Sequence, residues 1–200
     1  MLSLIRPAFV LLVSLSALTG LAYPLAITGI AQIALKGPAN GSLVTRDGAV
    51  VGSWLIGQSF TSAKYFLGRP SATQAPDPKD ATKTVDAPYN AASSTGSNLG
   101  PTSQKLMDRV KDATKAAKAP APADAVTTSA SGLDPHISPE NALAQVESVA
   151  AARGAPADKV RALVESHVEG RMFGLVGEPR VNVLALNLAL DGEFATSAAK

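Results

Sequence analysis

The stretch SGLDPHISP, residues 131–139, places an acid and an imidazole two positions apart in a loop rich in Ser and Gly. Asp134 and His136 are side chains of the kind that act in acid–base catalysis, and a loop of this composition can bind an anion at a helix N-terminus. The competing interpretation is structural: Asp134 forms a turn with Pro135, and Ser138 caps the following helix, with His136 exposed between them. The loop's composition favours the structural interpretation.

Other signs of chemistry are weak. The sequence lacks the Walker phosphate loop, the zinc-protease motif HExxH and the hydrolase elbow GxSxG. It has no cysteine, and its two histidines lie far apart, so a zinc site has little support. His167 falls on the apolar face of a predicted helix and is interpreted as a core residue. We therefore predict no catalytic residue, no metal and no cofactor of the chain's own.

Elements that position these loops are predicted from hydrophobic periodicity and turn signals. Two strands joined at Arg46-Asp47-Gly48 form a hairpin, because Asp-Gly supplies the positive φ that such turns need. Residues 65–101 are rich in Pro, Ser and Gly and are predicted to be a long irregular segment, with 72–87 a candidate for disorder. A helix is predicted over 103–118, and AVTTS, residues 125–129, as a short strand.

Two further helices and a strand are predicted in the last third of the chain. Ser138, with Pro139 behind it, starts a helix that ends at Gly154. A second helix follows Pro156. VNVLALNLAL, residues 181–190, alternates leucines as a strand does, with a short helix as the alternative. The positions predicted to be buried on the second helix are Val160, Leu163, Val164, His167 and Val168. Trp54 and Phe60 are predicted core residues, whereas Arg69 is expected in solvent or paired with a partner's acid.

The N-terminal segment is uncharged from Pro7 to Leu35, which is long enough to cross a bilayer. We predict a short tail (1–6), a transmembrane helix (7–35) with a proline, Pro24, that kinks or ends it, and a single soluble domain (37–200). The fold class is α+β, with mixed helices and strands and long loops in that domain. A cleaved signal peptide is the alternative, since GLA at 20–22 has the small residues of a cleavage site.

The balance of charged residues excludes a further class of function. The chain has 18 Lys and Arg against 16 Asp and Glu; without Arg6 and Lys36, the basic residues before position 37, the remainder carries 16 of each. A neutral domain lacks the basic face that nucleic acid requires, so nucleic-acid binding is not expected. Arg6 lies before the apolar run, but Lys36 and Arg46 follow it closely, so the charges leave the orientation of the span open.

Five motifs in order carry a family resemblance: GSWLIGQSF, YFLGRPSA, YNAASSTGSNLGP, SASGLDPHISPENA and GEPRVNVLALNLALD. Behind one N-terminal span, they closely resemble the C subunit (KdpC) of the bacterial Kdp potassium-transporting P-type ATPase, over the whole chain. Two positions depart from the pattern: Ala130 stands where relatives often have Gly, and Ser148 where Arg is common.

The resemblance implies a non-catalytic subunit of an ATP-driven, high-affinity K⁺ uptake complex in the bacterial inner membrane. Its partners would be a channel-like subunit that carries K⁺, a P-type subunit that hydrolyses ATP, and membrane lipid. The family is described as a catalytic chaperone that raises the ATPase subunit's affinity for ATP. Its soluble domain is periplasmic and its N-terminus cytoplasmic, so such an effect on cytoplasmic ATP would be allosteric.

The polar residues of the motif loops are the candidates for docking on the large transport subunit, where the domain would either dock or form a lid over the K⁺ entrance. One alternative is a membrane-tethered periplasmic hydrolase that uses Asp134 and His136. Another is a secreted binding protein that begins at Tyr23 after cleavage. The docking candidates are Asn90, Ser97, Asn98, Ser131, Asp134 and His136.

Overall fold

The computed structural model describes residues 2–116 and 120–194, and its mixture of helices and strands confirms the α+β class. The chain divides after Val51 into two compact units. The helices are α1 (Leu2–Ala17), α2 (Tyr23–Ala34), α3 (Lys36–Ala39), α4 (Gln104–Ala116), α5 (Ala123–Val126), α6 (Pro139–Arg153), α7 (Ala157–Ser166) and α8 (Val183–Glu193). The strands are β1 (Leu43–Arg46), β2 (Ala49–Ser53), β3 (Gln74–Asp77), β4 (Asp80–Asp86), β5 (His136–Ile137), β6 (Val168–Glu169) and β7 (Arg180–Asn182).

The first unit begins with an apolar helix. Among the described residues, Ser3–Ala34 is the helix long and apolar enough to cross a membrane, with a mean hydropathy of 2.0, and it fits a single-pass membrane protein. It continues past Pro24 because a π-helical turn, Leu18–Ala22, joins α1 to α2. The Tyr23 N–H bonds the Leu18 carbonyl five residues back, and this shift of register accommodates a proline that has no N–H of its own.

The predicted hairpin of the first unit is confirmed. β1 and β2 pair across a turn in which Asp47 and Gly48 have φ of 52° and 78°. Two successive residues with positive φ match the right-handed twist of a hairpin, and Asp-Gly is among the pairs that adopt them most readily.

The second unit has its core between three helices and a small antiparallel sheet. The sheet has the order β5–β7–β6, with His136 opposite Asn182 and Val168 opposite Val181. α6 begins as predicted, since the Ser138 hydroxyl accepts the Asn141 N–H at 3.1 Å, and it ends at Gly154 with φ of 66°. The buried apolar cluster is Phe66, Ile137, Ala142, Val146, Val149, Ala150, Val160, Leu163, Val164, Val181, Val183, Leu186 and Leu190.

The strand predicted over residues 181–190 is wrong beyond Asn182, because the chain turns there into α8. Asn182 caps this helix: its side chain accepts the Ala185 N–H at 3.1 Å. The buried positions also fit a helical period better than an alternation, since Asn187 is buried and Leu188 is less so. The buried helix positions are Val183, Leu184, Leu186, Asn187 and Leu190.

The irregular segment predicted over residues 65–101 contains a hairpin, so the candidate disorder at 72–87 is corrected. β3 pairs antiparallel with β4, and the Lys79 N–H bonds the Asp77 carboxylate at the turn. This hairpin exposes most of both faces, so it lacks the apolar alternation by which strands are recognised. The short strand predicted at AVTTS is likewise wrong: Ala123–Val126 forms a single helical turn, α5.

Of the remaining local predictions, some are confirmed and others are wrong. The helix predicted over 103–118 is confirmed over Gln104–Ala116 as α4, and residues 117 and 118 lie outside the described residues. α7 buries Val160, Leu163 and Val164 as predicted, but His167 lies partly exposed at its C-terminus, bonded to the Leu163 carbonyl. Val168 lies in a strand and is exposed. Phe60 packs against the core as predicted, whereas the prediction for Trp54 is wrong because it is 41% exposed.

Candidate functional site

The chain that leads into the site is fixed to the helices by polar side chains. The buried Asn187 amide accepts the Phe66 N–H at 2.9 Å and donates to the Phe66 carbonyl at 3.0 Å. Gln145 makes the same two-way contact with the backbone of Leu67, and the Arg153 Nε donates to the Lys64 carbonyl at 2.6 Å. These side chains satisfy the backbone N–H and C=O groups of an extended segment that has no strand partner. The segment is thereby fixed in place, and so is Arg69, which follows it.

Three loop segments meet beyond this point, and we call residues 68–73, 87–98 and 128–138 the loop cluster. Ser71 joins all three: its hydroxyl donates to the Gly132 carbonyl at 2.7 Å and accepts the Tyr89 N–H at 3.0 Å. The Tyr89 hydroxyl donates to the Arg69 carbonyl at 2.6 Å, and burial raises the pKa of Tyr89 to about 12. The cluster is therefore held by side chain–backbone hydrogen bonds rather than by strand pairing.

Asn90 is part of this internal network. The buried Thr73 hydroxyl donates to the Ala87 carbonyl at 2.6 Å and accepts the Asn90 N–H at 3.0 Å. The Asn90 side chain donates to the Gln74 carbonyl at 2.8 Å and accepts the Ala92 N–H at 3.1 Å. Asn90 thus shapes the loop with both ends of its amide.

Glycines allow the loops to approach one another closely. Gly132 has φ of 68°, and a Cβ there would lie 2.5 Å from the Thr73 methyl and 2.6 Å from the Thr95 carbonyl. At Gly57 a Cβ would lie 2.5 Å from the Asp134 carbonyl. Both positions exclude larger residues unless the backbone moves.

Asp134 is the electrostatic centre of the loop cluster. Its Oδ2 accepts Arg69 Nη1 at 3.1 Å, and its Oδ1 accepts the His136 N–H at 3.0 Å. Burial by itself raises the pKa of this carboxyl, but the contacts from His136 and the guanidinium of Arg69 outweigh it, so the pKa lies below its usual value. The Arg69 and Asp134 side chains are 26% and 28% exposed, and Arg69, expected in solvent or on a partner's acid, is paired within the chain.

His136 lies beside this ion pair and borders a shallow cleft of about 330 Å³. Its Nδ1 is 3.6 Å from Asp134 Oδ1, which is longer than a hydrogen bond, and its side chain is 26% exposed. The nearby Ser138 hydroxyl donates to Asp124 Oδ1 at 2.9 Å. The cleft, which Arg180 and Glu178 also line, therefore combines both signs of charge and suits a polar partner surface better than a single anion.

The remaining candidates lie at the surface of the same loops. Ser131 and Asn98 are exposed, and Asn98 has a positive φ of 50°. Ser97 is partly buried and accepts Arg109 Nη2 at 3.4 Å. Gly96, just before Ser97, approaches the Ala130 backbone so closely that a Cβ there would lie 2.7 Å from its carbonyl oxygen. The six predicted residues therefore do lie together on one loop cluster.

Sequence reasoning did not identify Ser71, Thr73 and Tyr89, which hold the cluster together. The signal available was the alternation of hydroxyl residues after Pro70 in the motif GRPSAT. No metal site competes with this interpretation within residues 2–116 and 120–194, where three or more His, Asp or Glu side chains do not converge.

Comparison with known proteins places the sequence beside one family. The family model described as K⁺-transporting ATPase, c chain, matches residues 5–192. The potassium-transporting ATPase KdpC subunits of Bradyrhizobium diazoefficiens and Methylorubrum populi are each 63% identical over 196 residues, covering 96% of this chain and 98% of theirs. The KdpC subunit of Rhodopseudomonas palustris strain BisB18 is 62% identical with the same coverage.

Proposed function

The chain belongs to the KdpC family and is thus an accessory subunit of a K⁺ uptake complex; from that premise we propose that it acts there without catalysing a reaction itself. Its partners are a channel-like subunit that carries K⁺ and a P-type subunit that hydrolyses ATP. ATP and K⁺ are handled by these partners, and the chain itself needs no cofactor. The observation that carries the proposal is the family match over residues 5–192, which includes both the apolar helix and the loop cluster.

We place the N-terminus in the cytoplasm and the soluble domain in the periplasm, with Ser3–Ala34 as the span through the inner membrane. The basic residues flanking the span are balanced, so this orientation depends on the family rather than on charge. Since ATP is cytoplasmic, the loop cluster on the other side cannot bind it. The chain raises ATP affinity allosterically, by stabilising the state of the pump in which the ATPase subunit binds nucleotide more tightly.

The loop cluster is the proposed docking surface on the large transport subunit. Asn90 and Asp134 hold the loops in shape through their hydrogen bonds. Asn98 and Ser131 are exposed, and His136 borders the cleft with about a quarter of its side chain exposed. Loops on a rigid scaffold are where binding residues concentrate, and internal hydrogen bonds lower the entropy lost on docking. The same loop cluster would serve whether the domain only docks on the transport subunit or also forms a lid over its K⁺ entrance.

The hydrolase that sequence reasoning left open has less support from this geometry. Both Asp134 oxygens already accept hydrogen bonds, and the His136 ring lies 3.6 Å from the nearer one. The Ser138 hydroxyl donates to Asp124 rather than to the imidazole. A nucleophile–base–acid relay needs these groups in mutual hydrogen-bond contact.

The test is extraction of native membranes in mild detergent through a C-terminal tag on the full chain. We expect a channel-like subunit and a P-type ATPase to co-purify, with ATPase activity that K⁺ stimulates. A chain that emerges alone, under conditions in which an unrelated membrane complex from the same cells stays intact, contradicts the proposal. Hydrolysis of generic esters by that lone chain, abolished by His136→Ala, would support the tethered hydrolase instead.

A further inference from the structure

An apolar hairpin tip projects from the sheet of the second unit, and the loop cluster does not include it. It occupies residues 171–177, between β6 and β7, in the sequence RMFGLVG. Its four large apolar side chains are almost entirely in solvent. They are Met172 at 64%, Phe173 at 91%, Leu175 at 80% and Val176 at 65% exposure.

The tip has a defined backbone conformation. The Met172 N–H bonds the Val176 carbonyl at 2.9 Å, and the Val176 N–H returns to the Met172 carbonyl at 3.1 Å. Phe173 has φ of 53°, a left-handed conformation that is uncommon for an aromatic residue, and its neighbour Gly174 has φ of 73°. Two successive positive φ values close this turn as they do in the β1–β2 hairpin, and an aromatic residue adopts the first of them at a local conformational cost.

The exposed area is large enough to matter. At these exposures the four side chains present on the order of 500 Å² of apolar surface, comparable to the largest patch on a typical monomer. Each partner of a standard protein interface contributes about 800 Å², so the tip would supply more than half of one side. Met and Phe are also enriched at the centres of such interfaces.

Charges at the base of the tip indicate the kind of partner. Arg171 Nη2 pairs with Glu178 at 2.7 Å, and Arg180 Nε pairs with Glu169 at 3.0 Å. The flanks are therefore neutral overall and offer no net attraction to an anionic lipid surface. Loops that insert into such membranes carry uncompensated Lys or Arg instead. A rigid tip with a neutral rim fits an apolar cleft in a protein.

We propose that residues 171–177 insert into an apolar cleft on the large channel-like transport subunit, the same subunit on which the loop cluster docks. The two surfaces are continuous, because Glu178 and Arg180 at the base of the tip also line the cleft beside His136. This inference rests on the proposed function, which supplies a partner subunit. Phe173 and Leu175, the most exposed of the four, are the anchors. The cleft that receives them has an apolar floor and a rim without excess charge.

The first experiment compares tagged full-length chains extracted from native membranes. Phe173→Ser combined with Leu175→Ser should lower the amount of partner subunit retained per chain by at least about tenfold. The matched control, Leu55→Ser combined with Met107→Ser, removes apolar side chains of 63% and 46% exposure elsewhere on the unit and should retain partner within about twofold. Phe173→Leu combined with Leu175→Met keeps the apolar tip and should retain it fully.

The outcomes separate the two proposals. If the unaltered chain retains no partner, the proposed function fails. If it retains partner and the serine variant retains as much, only the insertion of the tip is wrong. Thermal unfolding of each variant, followed by circular dichroism, must match the unaltered chain, so that loss of partner reports docking and not folding.

A second experiment tests whether the tip is surrounded by protein or by lipid. It labels a single introduced cysteine, which is possible because the sequence has no native cysteine. The full chain with Leu175→Cys is labelled at the new cysteine with an environment-sensitive fluorophore. It is then reconstituted, alone or in the assembled complex, into vesicles of phosphatidylethanolamine and phosphatidylglycerol. We expect blue-shifted emission in the assembled complex and water-like emission for the chain alone. Blue-shifted emission from the chain alone, quenched by spin-labelled lipid, would overturn the proposal in favour of membrane insertion.

Discussion

At the scale of residues, the ion pair between Arg69 and Asp134 organises the loop cluster. It connects the segment that leaves the core to the loop that carries His136, across 3.1 Å and with about a quarter of each side chain exposed. A pair this sheltered is screened less than surface pairs such as Lys115 with Asp112, whose side chains are more than three-quarters exposed. The contribution of this ion pair to the free energy of unfolding should therefore be measurable.

Replacing Asp134 by Asn should destabilise the soluble unit by about 1–2 kcal/mol at neutral pH, because charge-assisted hydrogen bonds become neutral ones. The pKa of Asp134 is lowered in the folded state, so its stabilisation is complete above the ordinary value of 3.8 and is lost as pH falls through the lower, folded pKa. The difference between the two proteins should thus shrink below about pH 4. Urea unfolding of the full chain in detergent, followed by the fluorescence of its single tryptophan, Trp54, measures it.

Asp112→Asn is the matched control, since it removes a carboxylate from the exposed pair. It should leave the unfolding midpoint unchanged across the same pH range. A destabilisation by Asp134→Asn that persists unchanged at pH 3 would contradict the assigned role of its charge.

The sequence identified the polar candidates at this scale, and the structure places them on one loop cluster. It did not reveal what they do, because Asn90 donates to a backbone carbonyl and Asp134 accepts from a guanidinium, and both partners lie far away in sequence. Arg69 gave a partial signal, because the sequence predicted either a solvated side chain or an acid on another protein, whereas its partner is Asp134 of the same chain. Long-range pairing of one Arg with one of 16 acids is not encoded in local spacing.

At the scale of elements, Gly132 determines how closely the loops approach. Gly132→Ala should destabilise the soluble unit by about 2 kcal/mol or more, since strain from its positive φ adds to contacts with Thr73 and Thr95. Gly154→Ala is the control, because Gly154 has φ of 66° but its Cβ would meet open space among the described residues. It should cost about 1 kcal/mol, from the backbone alone. Equal costs in urea unfolding would contradict the close approach.

Elements were predictable where local chemistry determines them. α6 has its serine cap, its first-turn proline and its terminal glycine in sequence, and all three act as predicted. α8 was mistaken for a strand because its leucines alternate, although Asn182 offered a cap and Leu and Ala favour helix. The β3–β4 hairpin was missed because it has no buried face, and strand pairing of that kind leaves little pattern in a sequence.

At the scale of the whole molecule, an apolar helix long enough to span the membrane and a soluble unit with two outward-facing features belong to one chain. The polar loop cluster and the apolar tip differ in chemistry, since the first holds an ion pair among polar side chains and the second exposes four apolar side chains. We propose that both features bias the state of the pump rather than perform its reaction. On this proposal, the effect on ATP follows by linkage from binding that favours one state of the pump.

The measurement that tests this account most directly is the ATP dependence of K⁺-stimulated ATPase activity, in purified complexes assembled with and without this chain. We expect the ATP concentration for half-maximal activity to rise severalfold when the chain is absent, as a coupling of about 1 kcal/mol or more requires. The detergent, lipid and K⁺ concentration are held constant between the two preparations. Half-maximal ATP concentrations that coincide in the two preparations would contradict the account.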